Sequence, residues 1–328
     1  MDTGTHLVMG LGIAGLAYID PVVASNPTVA AAVLIGAIIG QQAPDFDTVL
    51  RLKGNSTYIK HHRGISHSIP AVMIWTLLIT GALGLFFNNL PLLHVGLWVF
   101  AAVAIHIFSD MFNTYGTQSL RPFTKKWVAW DIIPIFDPVI FIAHIIAIVL
   151  WMLNVFAPSV IFPFLYGFLV IYYIARTCLH AYWLRRMPAL DKLHAANDIY
   201  KVIPSFMPNK WTVVKQSGDR FTYGELRSGW LHWVDSVRSE SHPAVEASKN
   251  HPTIEAFLSF TPFMCAETKR HEWGYEVHWI DIRCRQRKNY PFVAVLLMDL
   301  SFHPIEAHIG WMNESRIEKR LGLSAMQP

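Results

Sequence analysis

An α-helical polytopic membrane domain followed by a small soluble mainly-β (α+β) cytoplasmic domain is the fold class this chain predicts, and three observations predict it. Hydrophobic residues make up 53% of the 328 positions and charged residues only 15%, where a soluble chain carries about 25% charged. Four apolar runs before residue 200 are long enough for a bilayer core of about 30 Å, which takes roughly 20 helical residues. Composition then changes: every acid before residue 200 is Asp, the first Glu is Glu225, and charges become dense beyond it.

The four runs are 69–87, 92–112, 132–156 and 160–184. The third contains Pro134 and Pro138, so its regular part is expected to begin near Val139. Ahead of them, 7–19 and 28–39 are apolar but short, rich in Gly and Ala. They read as a tilted or partly inserted helical pair, because small residues permit close backbone approach. The N-terminus has no basic n-region, so the run from Leu7 is not expected to be a cleaved signal peptide.

Turns at Asn88-Asn89-Leu90-Pro91 and Ala157-Pro158-Ser159 alternate the runs, which leaves 43–68, 113–131 and 185 onward on one side. Those segments carry Arg51, Lys53, Lys60, Arg63, Arg121, Lys125, Lys126, Arg185, Arg186 and Lys192, and the opposite turns carry no Lys or Arg. The positive-inside bias makes that side cytoplasmic. The domain division expected is 1–187 in the membrane, a linker at 188–204, and a soluble domain over 205–328.

In the soluble part, 211–215, 221–227, 229–234, 275–283 and 292–298 alternate or are rich in β-branched and aromatic residues, as strands do. Stretches 243–250 and 253–259 read as short helices. Turn signals stand at Pro208-Asn209, Ser217-Gly218-Asp219 and Lys288-Asn289-Tyr290-Pro291. A small, mainly antiparallel sheet is expected. Three cysteines with no CxxC spacing make neither a disulfide framework nor a zinc ribbon, and a reducing compartment suits them. The net charge of +4 and the absence of a basic helix exclude a nucleic-acid-wrapping protein, so no nucleic-acid partner is expected.

The informative feature is where His and Asp fall. His6 opens the first apolar segment, Asp45 and Asp47 follow the second, and His61-His62-Arg63-Gly64-Ile65-Ser66-His67-Ser68 leads into the third. His106 and Asp110 lie four residues apart on the fourth, hence on one helix face. All sit at the same end of their segments. Ionisable groups there are costly, roughly +2.5–3.5 kcal/mol for a carboxylate at mid-helix on insertion scales, and need partners.

Mixed His/Asp sets are ligands for Zn²⁺, and carboxylate-rich sets suit Mn²⁺ or Mg²⁺. His6, Asp45, His62, His67, His106 and Asp110 are the expected ligands of one or two divalent ions, Zn first. Plainer readings stand beside this one. His6 suits an interfacial cap, His106 and Asp110 suit an ordinary i, i+4 surface pair, and His61-His62-Arg63 suits a basic juxtamembrane anchor. Arg63 is the expected phosphate grip, through its fork of donors. Asp2, His61, Ser66, Asn113, Thr114 and Tyr115 are expected to support the ligands or touch substrate. Asp137 before Pro138 reads as a helix cap, and His94, His144 and His180 as structural.

The steps Asp2-x-x-Thr5-His6, Pro44-Asp45-x-Asp47, His62-Arg63-Gly64-x-Ser66-His67-Ser68, His106-x-x-x-Asp110 and Asn113-Thr114-x-Gly116 resemble the bacterial membrane-bound metal-dependent hydrolases, the LexA-regulated or LexA-binding inner-membrane hydrolase type. The resemblance covers about residues 1–180, and the downstream region resembles the YfhP-like Firmicute branch. It implies a metal-dependent hydrolase of the bacterial cytoplasmic membrane. The order of ligands is also similar, more distantly, to the zinc-dependent phospholipase C and nuclease group, whose later His and Glu ligands have no match here.

The expected activity is cleavage of a phosphoester of a lipid or amphiphile by metal-activated water, oriented by Asp45 or Asp47. Membrane lipids are expected partners, and the C-terminal domain is expected to meet a protein partner. The alternative is a non-enzymatic membrane-anchored interaction or regulatory protein, whose His/Asp groups form a structural metal staple or polar network.

Overall fold

The computed structural model describes residues 1–260, 263–284 and 292–311; the 288–291 turn signal lies outside the described residues. The chain forms two compact units. One comprises Met1–Thr48, His62–Tyr182 and Pro204–Pro208; the other comprises Val49–His61, Trp183–Ile203 and the described chain from Asn209.

The first unit is helical. Asp2 caps α1 (Thr3–Leu16) by accepting from the Thr5 amide at 3.0 Å. A single turn, Ala17–Ile19, leads to α2 (Pro21–Ser25), capped by Asp20, and then to α3 (Pro27–Gln42), capped by Asn26. The chain continues as a 3₁₀ stretch, Ala43–Lys53, then α4 (Asn55–His61), a 3₁₀ turn at Ile65–His67, α5 (Ile69–Phe86) and α6 (Leu92–Met111). An irregular segment precedes α7 (Pro138–Met152), and α8 (Pro158–Leu190) runs on into the second unit.

Among the described residues, four helical stretches are long and apolar enough to cross a membrane: Pro27–Lys53, Ile69–Phe86, Leu92–Met111 and Pro158–Leu190. The set differs from the expected one in one member. The 132–156 run yields a helix of only 15 residues, about 22 Å at 1.5 Å per residue, because Asp137 caps it through Val139 N at 2.9 Å and Pro138 occupies its first turn. The 28–39 run instead belongs to a 27-residue stretch, since the helix persists through Gln42 and tightens into 3₁₀.

Small residues let these helices approach closely. A Cβ on Gly10 would lie 3.0 Å from Ile38 Cα, one on Gly40 would lie 3.1 Å from Ala102 Cβ, and one on Gly15 would lie 2.0 Å from the Phe162 ring. Glycine therefore packs α1 against α3 and α8, and α3 against α6, where a side chain would force them apart.

The second unit holds two four-stranded antiparallel sheets. In the first, β1 (Ile199–Pro204), β2 (Lys210–Ser217), β3 (Arg220–Arg227) and β4 (Trp230–Arg238) follow in chain order. Gly218 turns β2 into β3 with φ +63°. The second sheet likewise orders β5 (Met264–His271), β6 (Gly274–Asp281), β7 (Phe292–Asp299) and β8 (Pro304–Trp311).

The sheets share a core in which Ile203, Val214 and Phe221 meet Cys265, Ile280 and Val295. The second sheet's other face is covered by α9 (Pro243–Ser248) and α10 (Pro252–Leu258), with Ile59 of α4 added to that core. Two sheets thus stand where one was expected, and the stretch read as a linker at 188–204 contains the end of α8 and all of β1. The 49–61 loop is likewise part of this unit: Asn55 donates to Ile309 O at 3.3 Å and Lys60 pairs with Glu255 at 3.4 Å.

A buried polar knot ties the end of α8 to the first sheet. Asp191 accepts from Lys215 Nζ at 2.7 Å, Tyr200 OH at 2.7 Å, Trp233 Nε1 at 3.1 Å and the Leu193 amide at 3.0 Å. In the shared core, burial and then the nearby Glu267 carboxylate push the Cys265 thiol up to about 12. Only the thiolate reacts with alkylating agents, so Cys265 is expected to resist iodoacetamide at pH 8 in the native protein and to react once denatured. Peptide mass spectrometry reads the difference, and full native alkylation of Cys265 would contradict this packing.

Candidate metal centre

Three imidazoles and two carboxylates meet where α1, α3, α5 and α6 come together. His6 stands one turn into α1, Asp45 just beyond α3, His67 immediately before the Ser68 cap of α5, and His106 and Asp110 on the last turns of α6. Ligand atoms of Asp45, His67, His106 and Asp110 all lie within 4.8 Å of one another. His6 joins them: its ring stacks on His106 at 3.8 Å, and its Nε2 is 3.5 Å from Asp110 Oδ1. Residues more than a hundred positions apart in sequence therefore converge as expected.

The hydrogen bonds fix which nitrogen each imidazole presents. The Gln41 side-chain amide donates from Nε2 to Ala102 O at 2.8 Å, so its Oε1, 3.0 Å from His6 Nδ1, accepts. The backbone carbonyl of the same Gln41 accepts from His106 Nδ1 at 2.7 Å. Ser66 Oγ donates to Asp47 Oδ2 at 2.7 Å and so accepts from His67 Nδ1 at 2.9 Å. Each ring thus spends its proton at Nδ1 and turns an Nε2 lone pair inward.

Two of these acceptors, His67 Nε2 and His106 Nε2, face each other at 3.2 Å. Asp45 Oδ1 and Asp110 Oδ2 point to the same place, 3.4 and 3.5 Å from His67 Nε2; neither makes a well-formed hydrogen bond, and Asp110 Oδ2 has the Arg63 guanidinium 3.3 Å away. Buried acceptors that face one another are costly unless something positive joins them. Imidazoles mixed with carboxylates are the donor types that divalent cations take, so this cluster could hold a metal ion.

A second, overlapping set consists of Asp45, Asp47 and His62. Asp47 Oδ1 is 2.6 Å from His62 Nδ1, and its Oδ2 accepts from the Arg63 amide at 2.9 Å as well as from Ser66. Asp47 therefore fastens the turn that carries His67, and Asp45 is common to both sets. The buried members, His6, His67, His106 and Asp110, are 0% exposed, while Asp45 retains 20% and His62 23%. The cluster opens on the Asp45–His62 side.

Several expectations are corrected by this geometry. Arg63 does not face outward for a phosphate: its Nη2 lies 3.3 Å from Asp110 Oδ2 and donates to Met1 O at 3.2 Å, and its Nη1 donates to Asn113 Oδ1 at 3.3 Å. The buried Asp110 carboxylate needs a countercharge, and Arg63 supplies it alongside the Met1 α-amino group, which contacts Asp110 Oδ1. Arg63 itself takes the left-handed backbone conformation, φ +59°, at the turn ahead of His67.

Asp2 caps α1 and donates nothing to the ligands beyond placing His6. His61 is exposed at the end of α4 and belongs to the other unit. Asn113 does support the site, donating from Nδ2 to Asp110 Oδ1 at 3.1 Å while its Oδ1 accepts from the Tyr115 and Gly116 amides at 2.9 Å each. Thr114 and Tyr115 supply backbone to that turn. Asp137 is the helix cap expected of it, and its second oxygen accepts from Tyr172 OH at 2.9 Å.

The residue that sequence reasoning missed is Gln41, which orients two ligands at once. Its signal is a buried amide in the last turn of an otherwise apolar, small-residue helix. Far from the site, His94 pairs with Asp20 at 2.7 Å, and His144 donates to Ile140 O at 2.7 Å, both structural as expected.

An apolar helical unit with a polar, cation-ready cluster at one end of its helices is an integral membrane protein in class, and comparison with known families agrees. The model for "YdjM inner membrane protein" matches residues 1–183, and the chain belongs to this family of membrane proteins. The model for "YfhP C-terminal alpha/beta plait domain" matches residues 243–321. Among curated proteins, the chain is 39% identical over 330 residues to one from Bacillus subtilis (strain 168) named "Uncharacterized protein YfhP", covering 99% of this chain and 100% of that one. No solved structure matches.

Proposed function

We propose that the protein is a metal-dependent hydrolase of the bacterial cytoplasmic membrane, acting at the inner face on a phosphoester of a lipid or another amphiphile. The observation that carries this reading is the buried convergence of His67 Nε2, His106 Nε2, Asp45 Oδ1 and Asp110 Oδ2, with His6 Nε2 beside Asp110. Asp45, His67, His106 and Asp110 would hold the first cation, with His6 beside Asp110 as a further ligand, and Asp45, Asp47 and His62 a second. A divalent cation bound there supplies Lewis-acid polarisation of a phosphoryl oxygen and a water acidified toward pH 7.

The chain's own residues do the rest. Gln41, Ser66 and Asp47 hold the imidazoles in one tautomer and orientation, which preserves the ligand geometry. Arg63 and Asn113 act as positioning residues on Asp110. Asp45, the partly exposed carboxylate, is placed to orient an incoming water or take its proton.

A catalytic site keeps an open position where a structural one is closed. The 20% exposure of Asp45 and 23% of His62 favour the enzyme over a metal staple. In this reading the chain crosses the membrane several times, with 43–68, 113–131 and the C-terminal domain in the cytoplasm, because the Lys and Arg residues concentrate there.

The test is hydrolysis of bis(p-nitrophenyl) phosphate and of phosphatidylglycerol vesicles by the purified full chain. Activity that a chelator abolishes and Zn²⁺ or Mn²⁺ restores supports the hydrolase. A protein that holds its metal tightly yet cleaves neither substrate, with or without added cation, overturns it in favour of the staple.

A further inference from the structure

We infer that the groove between α3 and α5 is the seat of a hydrocarbon chain, so that the ligand taken at the metal centre is an acyl lipid rather than a water-soluble phosphoester; the substrate part of this inference rests on the hydrolase reading above. The groove encloses about 460 Å³ and is lined by Ile39, Ala43, Phe46, Trp75, Leu78 and Ala82 among other apolar residues, with Phe86 at its far end. From Trp75 to Phe86 it follows α5 for about 16 Å at 1.5 Å per residue, roughly half of a 30 Å hydrocarbon core.

Two observations and a packing argument point to the occupant. The lining is apolar throughout, so water gains no partners in it. The walls of such a groove gain dispersion contacts only from what lies along it, and in a bilayer the material at hand is a lipid chain. The mouth of the groove is also part of the site. Phe46 stands between Asp45 and Asp47 in sequence and packs on Trp75, with ring centroids 6.5 Å apart, and the Trp75 indole donates to Ser66 O at 3.3 Å on the turn that holds His67.

The groove therefore ends on the side where Asp45 and His62 keep their exposure. A chain lying in it delivers its head group to the open side of the ligand cluster. The groove between α6 and α8, lined by Phe108, Phe112 and Tyr173, has no counterpart to Phe46, which lies between two of the proposed ligands in sequence and lines the α3–α5 groove.

Ala82→Phe fills the groove from a position exposed on α5, so folding is not at stake. Gly81→Phe is the control, since a side chain there meets nothing within 4 Å. The full chain is reconstituted in vesicles containing phosphatidylglycerol with a photoactivatable diazirine on one acyl chain, and crosslinked peptides are mapped by mass spectrometry.

Wild type and Gly81→Phe are expected to concentrate label on Ile39, Phe46 and Leu78 about tenfold over lipid-facing Leu93 and Leu97 of α6, and Ala82→Phe to lose that excess. Equal labelling of the two α-helical surfaces in wild type, or an undiminished excess in Ala82→Phe, overturns the groove. Ala82→Phe is also expected to keep cleaving bis(p-nitrophenyl) phosphate while losing cleavage of phosphatidylglycerol; loss of both, or of neither, counts against the inference. If no protein cleaves either compound but the labelling pattern and its loss persist, the hydrolase reading fails and the lipid seat stands.

Discussion

Asp110→Asn is expected to lower metal affinity by well over the 10–100-fold that loss of a supporting hydrogen bond produces, and to abolish any hydrolysis. The carboxylate does more than ligate. Its Oδ2 faces His67 Nε2 at 3.5 Å and Arg63 Nη2 at 3.3 Å, while its Oδ1 meets His6 Nε2 at 3.5 Å and the Met1 amino group. Neutralising it leaves the Arg63 guanidinium buried without its countercharge, at a cost of about 3–5 kcal/mol.

The variant is therefore expected to lose stability as well as metal, and a second variant separates the two effects. Gln41→Leu removes the acceptor for His6 Nδ1 and keeps every charge, while the backbone carbonyl still holds His106. Metal affinity should fall about 10–100-fold. Competition with a chromophoric chelator reads both variants. Wild-type affinity in Gln41→Leu would show that His6 is held by packing alone, and wild-type affinity in Asp110→Asn would remove Asp110 from the ligand set.

Lys215→Met is expected to destabilise the second unit by about 3–5 kcal/mol, because it strands the Asp191 carboxylate in a buried position. Asp191 is 0% exposed and Lys215 7%. Burial alone would raise the Asp191 carboxyl, but the Lys215 ammonium and then the Tyr200 hydroxyl outweigh it and hold it at about 2. Since an unfolded Asp titrates near 3.9, this depressed group contributes its full stability above about pH 4 and loses it as pH falls through 2.

The denaturant midpoint of the full chain, followed by tryptophan fluorescence, should drop in Lys215→Met. It should recover in part in Lys215→Met/Asp191→Asn, which removes the stranded charge. An unchanged midpoint in the single variant would show that the Tyr200, Trp233 and Leu193 donors suffice for Asp191.

What the sequence made legible follows from where chemistry and hydropathy disagree. His106 and Asp110 stand out because an ionisable pair in an apolar run is costly, and shared depth at one end of the helices linked them to His6, Asp45 and His67 without any pairwise signal. Gln41 was silent because an amide in a helix end has many uses, and only the fold shows one residue holding two imidazoles. The direction of Arg63 was equally hidden. A guanidinium beside a site can grip substrate or neutralise a ligand, and the burial of Asp110 decides for the second.

In the fold, the swap of 132–156 for 27–53 as a long helix came from Pro138 and its Asp137 cap on one side, and from 3₁₀ continuation past Gln42 on the other. Strands β1, β5 and β8 escaped notice because Pro204 and Pro304 sit in two of them, while the polar end of β5, Glu267-Thr268-Lys269-Arg270-His271, breaks the alternation. Packing of 49–61 in the second unit depends on contacts some two hundred residues away, which no local pattern announces.

X-ray absorption together with elemental analysis of the wild-type chain, purified in detergent and reconstituted with Zn²⁺, tests the metal cluster most directly. One or two equivalents of cation with nitrogen and oxygen neighbours at about 2.0–2.2 Å, and outer-shell scattering from imidazole rings, is the predicted result. A chain that retains no stoichiometric Zn²⁺, Mn²⁺ or Mg²⁺ under these conditions would contradict it, and His6, His67, His106, Asp45 and Asp110 would then be a polar network without a metal.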